Sequence, residues 1–121
     1  MKSNRLLFEE LSAWHQNMIS CLLKHSFPGI QEISHQIESA SFEIIDKNKS
    51  LGVFPSISIA APVIKTIPIE ARAVDTDGVP IEVLLFTRKG FVCMLEILRG
   101  DGEKVENLPE VDQFEVILLG S

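Results

Sequence analysis

Val79-Pro-Ile-Glu-Val-Leu-Leu-Phe-Thr87, Arg88-Lys89-Gly90 and Phe91-Val-Cys-Met-Leu-Glu-Ile-Leu-Arg99 form the most apolar and most β-prone stretch of the chain. Two β-rich runs around a glycine-containing turn read as a hairpin. Register decides which side chains share a face, because a slip of one residue exchanges the two faces. With Lys89-Gly90 as a two-residue turn, Arg88 faces Phe91 and Val83 faces Glu96, which mixes charged and apolar side chains on both faces. With Arg88-Lys89-Gly90 as a three-residue loop, Thr87 faces Phe91 and Gly90 takes the left-handed position that such loops need. Ile81, Val83 and Leu85 then lie opposite Ile97, Leu95 and Cys93, and one face is wholly apolar. The three-residue loop is therefore the expected register.

The preceding turn, Asp75-Thr76-Asp77-Gly78, gives the same sorting. A three-residue loop ending in Gly78 sets Asp75 opposite Val79, and Ala73, Ala71 and Ile69 join the apolar face beside Ile81, Val83 and Leu85. Two separate turns thus agree on an odd-numbered core face and a three-stranded antiparallel meander. The even-numbered face reads Arg72, Glu82, Glu96 in one row, with Leu84, Phe86, Val92, Met94 and Leu98 beside it. A face open to water should alternate towards polar residues. This face does so only in the row, so a cover is expected over the rest.

At 121 residues the chain is expected to form a single α+β domain spanning 1–121. The net charge of −6 excludes a phosphate-binding surface, and with it nucleic acid. Residues 100–121 hold one base, Lys104, against Asp101, Glu103, Glu106, Glu110, Asp112 and Glu115, so most of the net charge lies in that segment. Cys21 and Cys93 fall in an expected helix and an expected core strand and suit buried free thiols. With so few cysteines and no leader pattern in Met1-Lys-Ser-Asn-Arg5, a reducing cytoplasm is the expected compartment. No apolar run approaches the roughly 18 residues of a membrane span.

Around the meander the pattern predicts a helix over 4–25, with Leu7, Leu11, Trp14, Met18 and Leu22 as its inward stripe. Ser26-Phe27-Pro28-Gly29 breaks it, because proline pushes the residue before it out of helical space. A second helix follows over about 29–38, with Ile30, Ile33 and Ile37 inward. Ala40–Asp46 reads as a strand carrying Phe42 and Ile44 on one side. Leu51–Ala60 reads as a weaker strand, placed at an edge because Pro55 cannot donate to a ladder. Residues 61–66 read as a connection, Arg99 opens a loop of about a dozen residues, and Phe114–Leu119 closes the sheet. The fold this predicts has two N-terminal helices packed on one face of a five- or six-stranded, mainly antiparallel sheet.

Three features carry a resemblance: Phe27-Pro28-Gly29 after a leading helix; Ile69-Glu-Ala-Arg-Ala-Val-Asp-Thr-Asp-Gly78 entering an apolar hairpin; and Leu95-Glu96-Ile97 followed by Asp101-Gly102 and Leu108-Pro109. Together they resemble small bacterial proteins of unknown function with an N-terminal helical hairpin and a C-terminal β-meander. The resemblance covers about three quarters of the chain and brings no catalytic motif with it. What it implies is an interaction or immunity-like role.

The row of Arg72, Glu82 and Glu96 is the one candidate for chemistry. Two carboxylates opposite each other repel when exposed. Under cover they can share a proton, which raises one pKa into the range of acid–base work. The plain alternative is a cross-strand ladder, with Arg72 neutralising one carboxylate and water solvating the other. His15, His25 and His35 lack any His-x3-His spacing, and no Cys-x2-Cys occurs, so no metal is expected. Cys21 with His25 one helical turn on satisfies the spacing of a thiol and its base, but a small apolar side chain in the helix–sheet interface is preferred. No Gly-x-Ser-x-Gly elbow or glycine-rich phosphate loop occurs, so no cofactor is expected.

The preferred reading is a cytoplasmic, non-enzymatic protein-interaction module. Leu84, Phe86, Val92, Met94 and Leu98 would form its partner-binding surface, either for a homodimer or beside an acidic segment suited to a basic, immunity-type partner. The cover over that surface is either this partner or the chain's own residues 51–66 or 103–113. The alternative is a small-ligand binder or enzyme with Glu82 and Glu96 as an acid–base pair and Arg72 holding one of them ionised.

Overall fold

The computed structural model describes residues 5–62 and 64–119. Seven strands form a single sheet: β1 Leu6–Leu7, β2 Ser41–Ile44, β3 Leu51–Phe54, β4 Ile69–Val74, β5 Pro80–Arg88, β6 Phe91–Arg99 and β7 Glu115–Leu118. Their order is β1-β2-β3-β6-β5-β4-β7, and every neighbouring pair is antiparallel. Two helices, α1 Ala13–Leu23 and α2 Ile30–Glu38, complete an α+β fold.

The meander is present, and its first turn has the expected register. Ala73 pairs with Ile81, Ala71 with Val83 and Ile69 with Leu85. Gly78 sits at φ 87 and donates its N–H to the Asp75 carbonyl at 2.9 Å.

The second turn differs. Arg88 stands opposite Phe91, so the turn is the two residues Lys89-Gly90, at φ 52 and φ 83. Positive φ at both central residues is what a twist-matched two-residue hairpin turn demands. The mixing of faces that argued against this turn is cancelled one step later by a bulge. Thr87 pairs with Val92 but Phe86 pairs with Met94, which leaves Cys93 as the extra residue on β6. Beyond it Leu85 meets Leu95 and Val83 meets Ile97, so the core face stays odd-numbered. Before it parity is reversed, and Val92 points into the core with no exposed surface. Val92 therefore leaves the expected partner-binding set.

Gly90 has a second reason to be glycine. A Cβ there would lie 2.6 Å from the Ala61 carbonyl oxygen and 2.9 Å from the Ala60 Cβ, whereas a Cβ on Gly78 would meet nothing. Both positions carry the strain of a left-handed residue, but only Gly90 adds a backbone collision. Gly78→Ala is expected to cost about 1 kcal/mol and Gly90→Ala about twice that. Urea unfolding of the two variants checks the order, and equal losses would contradict it.

The N-terminal helix is shorter than its pattern. Its expected first residue, Asn4, lies outside the described residues. Leu6 and Leu7 pair with Phe42 and Ser41 as an edge strand, and Phe8–Glu10 make a single 3-10 turn. Ser12 then caps α1, its hydroxyl accepting the His15 N–H at 3.1 Å. Serine at this position competes well against continuing the helix upstream. Leu11, Met18 and Leu22 face inward as expected, joined by Ile19, but His15 takes the place of Trp14, which is half-buried, and Leu7 is exposed. The Trp14 indole N–H instead donates to the Pro109 carbonyl at 2.8 Å, and its ring meets Phe114 edge-on.

In α2, Ile33 and Ile37 are buried as expected and Ile30 partly so. The β3 strand is not an edge. It lies between β2 and β6, and Pro55 falls just past its last residue, where no ladder donor is needed. The short β1 and β7 are the true edges.

One core joins Met18, Ile19, Leu22, Ile33 and Ile37 of the helices to Ile69, Ala71, Ile81, Val83, Leu85, Leu95 and Ile97 of the sheet. Among the described residues no helix is long and apolar enough to cross a membrane.

Candidate functional site

Leu84, Phe86, Met94 and Leu98 stand on the side of the sheet opposite the helices. Each is half-buried, and none belongs to the core or packs against it. Register adds Ile117 of β7, the partner of Glu70, and Phe54 of β3, two residues on from the partner of Met94. The Arg5 guanidinium lies 3.6 Å from the centre of the Phe54 ring. Phe54 belongs to one of the two segments expected to cover this face and lines it, and other apolar side chains of those segments turn to the core. Ala61 is in the core and Ile64 packs against it, as do Val105, Leu108 and Val111 of the long loop. The apolar face thus stays open among the described residues.

The polar row on this face is built differently from its expected form. Arg72 does pair with Glu82, Nε to Oε2 at 3.4 Å. Glu96, however, stands opposite Leu84, and Glu82 opposite Leu98. The two-residue turn and the bulge at Cys93 each shift the register by one residue, and together they set Glu82 and Glu96 diagonally, about 7–8 Å apart at the backbone. The partner of Glu82 is instead Glu70. Arg72 Nη2 donates to Glu70 Oε1 at 3.0 Å and its Nε reaches Oε2 at 3.4 Å, so one guanidinium bridges two carboxylates.

The Glu70 side chain is only 4% exposed, against 30% for Glu82 and 53% for Arg72. Burial pushes the Glu82 carboxyl above the ordinary carboxylate range. Hydrogen bonding and like charge from Glu70 add to the rise, and Arg72 opposes it. Glu70 is the residue that sequence reasoning missed. Its signal was present: it shares parity with Arg72 two residues on, and side chains at i and i+2 of a strand share a face.

The other candidates take structural roles. His15 is buried, with Nδ1 at 2.8 Å from the Ser12 hydroxyl and Nε2 at 2.8 Å from the Lys49 carbonyl oxygen. Burial lowers its pKa, and a neutral ring donating Nε2–H to that carbonyl fits both contacts. His25 Nδ1 lies 3.0 Å from the Cys21 carbonyl oxygen, so it ties down the helix end through the backbone. His35 is exposed on α2. Among the described residues no three His, Cys, Asp or Glu side chains group as a metal site.

The densest charge cluster lies at the far end of the meander. Arg99, 7% exposed, donates to Asp75, Asp77 and Asp101 at distances from 2.6 to 3.0 Å. Those carboxylates are committed to the guanidinium and to loop N–H groups, so the cluster acts as a staple.

Comparison with known proteins gives no match, whether to family models, curated proteins or solved structures.

Proposed function

We propose that the chain is a non-enzymatic protein-interaction module that pairs with a second copy of itself through the open face of its sheet. The observation that carries this is the open apolar row of Leu84, Phe86, Met94 and Leu98, with Ala61, Ile64, Val105, Leu108 and Val111 of the neighbouring segments packed on the core instead.

Size favours a second copy. Five strands about 4.8 Å apart and some 20–25 Å long present on the order of 500–600 Å². A standard interface needs about 800 Å² per partner, which this face approaches once the surrounding side chains are added. Two twisted sheets pack face to face with aligned strands, as in any sandwich. The expected interaction or immunity-like role is of the same general kind. A basic protein is the competing occupant, because Glu96 stands on the face opposite Leu84 and Glu115 on the edge strand β7.

The acid–base alternative has weaker support. Glu82 closes onto Glu70 and Arg72, and Glu96 does not join them.

Solution mass decides between these readings. Wild-type protein should sediment as a dimer and Phe86→Asp as a folded monomer, since a charge in the centre of such a face forfeits its burial. Monomers in both cases, or dimers in both cases, would sink the proposal.

A further inference from the structure

We infer that closure of this sheet face is coupled to proton uptake at the Glu70–Arg72–Glu82 cluster, one proton for each copy that docks. The inference rests on the proposed pairing of two sheet faces and adds how that pairing is regulated.

The cluster holds two carboxylates and one guanidinium, a net charge of −1 set among Leu84, Leu98 and Ile117. In the separate chain this charge is tolerated, because water reaches Arg72 and the outer part of Glu82. A second sheet packed about 10 Å away removes that water. An uncompensated charge in an apolar layer is strongly unfavourable, and such a group responds by neutralising. A proton on Glu82 leaves Glu70 and Arg72 as a matched pair, and the new carboxyl hydrogen lies within reach of Glu70. The free chain already leans this way, because burial and the Glu70 charge hold Glu82 above its ordinary range against the pull of Arg72.

The other charges on this face leave the balance unchanged or push it further. Glu115 of β7 stands opposite Arg72 and is exposed. Glu96 of β6 is diagonal to Glu82. Both are acidic, so they too favour a proton on Glu82. Glu43 of β2, the register partner of Gly52, adds a further acid, while Arg88, six residues along β5 and about 20 Å away, and Arg5, over Phe54 two strands off, are the cations on this face and lie towards its other end.

The sign follows from linkage. A docked state that binds more protons than the separate chains is strengthened as pH falls. Sedimentation equilibrium at fixed ionic strength, from pH 7.5 to 5.5, reads this directly for wild type, Glu82→Gln and Glu96→Gln. Two protons per dimer set an upper limit of a hundredfold per pH unit, and incomplete uptake brings the expected tightening to about tenfold per unit. Glu82→Gln keeps the hydrogen-bond donor without the charge, so it should dimerise at pH 7.5 as tightly as wild type does near pH 5.5, with a flat profile. Glu96→Gln should keep the wild-type slope, which controls for the general loss of negative charge.

A wild-type dimer whose affinity does not change with pH overturns the inference and leaves the pairing standing. So does a Glu82→Gln profile as steep as wild type, or a slope abolished by Glu96→Gln instead. Monomers at every pH remove the pairing and the coupling together. Circular dichroism on each variant, at both ends of the range, shows that folded proteins are being compared.

Discussion

Arg99→Ala is expected to lower the thermal midpoint at pH 7 by about 10–20 °C. The Asp75 side chain is wholly buried, and its Oδ2 takes Arg99 Nη1 at 3.0 Å. The same carboxylate accepts N–H groups from Thr76, Glu106 and Asn107 at 2.8, 2.8 and 3.0 Å. Asp75 therefore ties the β4–β5 turn to the loop between β6 and β7, and Arg99 balances its charge. Asp77 and Asp101 converge on the same guanidinium, each through two hydrogen bonds. Removing Arg99 leaves carboxylates crowded together, one of them without water. Breaking a buried pair from one side costs more than the intact pair contributes, because the remaining charge has nowhere to go. Lysine restores the charge but not the planar fork that serves three carboxylates, so Arg99→Lys should recover less than half of the loss.

Acid supplies the control for that prediction. Burial alone would raise the Asp75 pKa, but the N–H groups of Glu106, Asn107 and Thr76, together with Arg99, overcome it and hold the carboxyl well below its usual range. Asp77 and Asp101 are lowered chiefly by their hydrogen bonds to Arg99. A folded pKa below the unfolded value gives stability that is full above about pH 4 and fades as pH falls through the carboxylate range. Wild type should begin to lose that contribution below about pH 4 and go on losing it as pH falls further, whereas the alanine variant keeps only the part that the N–H groups of Glu106, Asn107 and Thr76 give Asp75. The gap between their midpoints should therefore narrow in acid. A gap that stays constant down to pH 3 would show that shape, not charge, is what Arg99 supplies.

What could be read from the sequence follows how local each constraint is. The turn at Asp75–Gly78 was legible because its register depends on four adjacent residues and one glycine at positive φ. The core side of Ile81, Val83, Leu85, Leu95 and Ile97 was legible because apolar alternation over several residues outvotes one irregularity. The bulge was not legible. Its partner, Gln36, lies on a helix more than fifty residues earlier in the chain, and no local rule reaches that far. Val92 and Glu96 were misplaced with it, Val92 because it precedes the bulge and Glu96 because turn and bulge together moved its cross-strand partner. Leu7 and Trp14 left the inward stripe for a smaller reason, a cap at Ser12 that starts α1 late and turns His15 inward. Glu70 was readable in principle, but charges were compared across strands and not along one.

Replacing Gln36 by leucine should cost about 3–4 kcal/mol in urea unfolding, even though the substitution nearly conserves volume. Gln36 is fully buried. Its Oε1 accepts the Val92 N–H at 2.8 Å, and its Nε2 donates to the Gly90 and Ile59 carbonyls at 2.9 and 3.0 Å. The Gly90 carbonyl keeps a second donor, the Ala61 N–H at 2.8 Å. Val92 N–H and Ile59 C=O are the groups that leucine strands, at about 1–3 kcal/mol for a buried orphan, with the Ile59 carbonyl at the low end because that residue is largely exposed. Glutamate is the sharper probe, because it still accepts from Val92 but cannot donate to either carbonyl and brings a charge into the core. Gln36→Glu should therefore be worse than Gln36→Leu at neutral pH. The amide also selects the bulged register over the simpler one, in which Arg88-Lys89-Gly90 would form the loop and Cys93 would turn inward. Without it, hydrogen exchange at the Val92 N–H should accelerate more than at Leu95 or Ile97, further along the same strand. Uniform exchange along β6, or a loss below about 1 kcal/mol, would mean that the turn and the core hold the bulge without help from the helix.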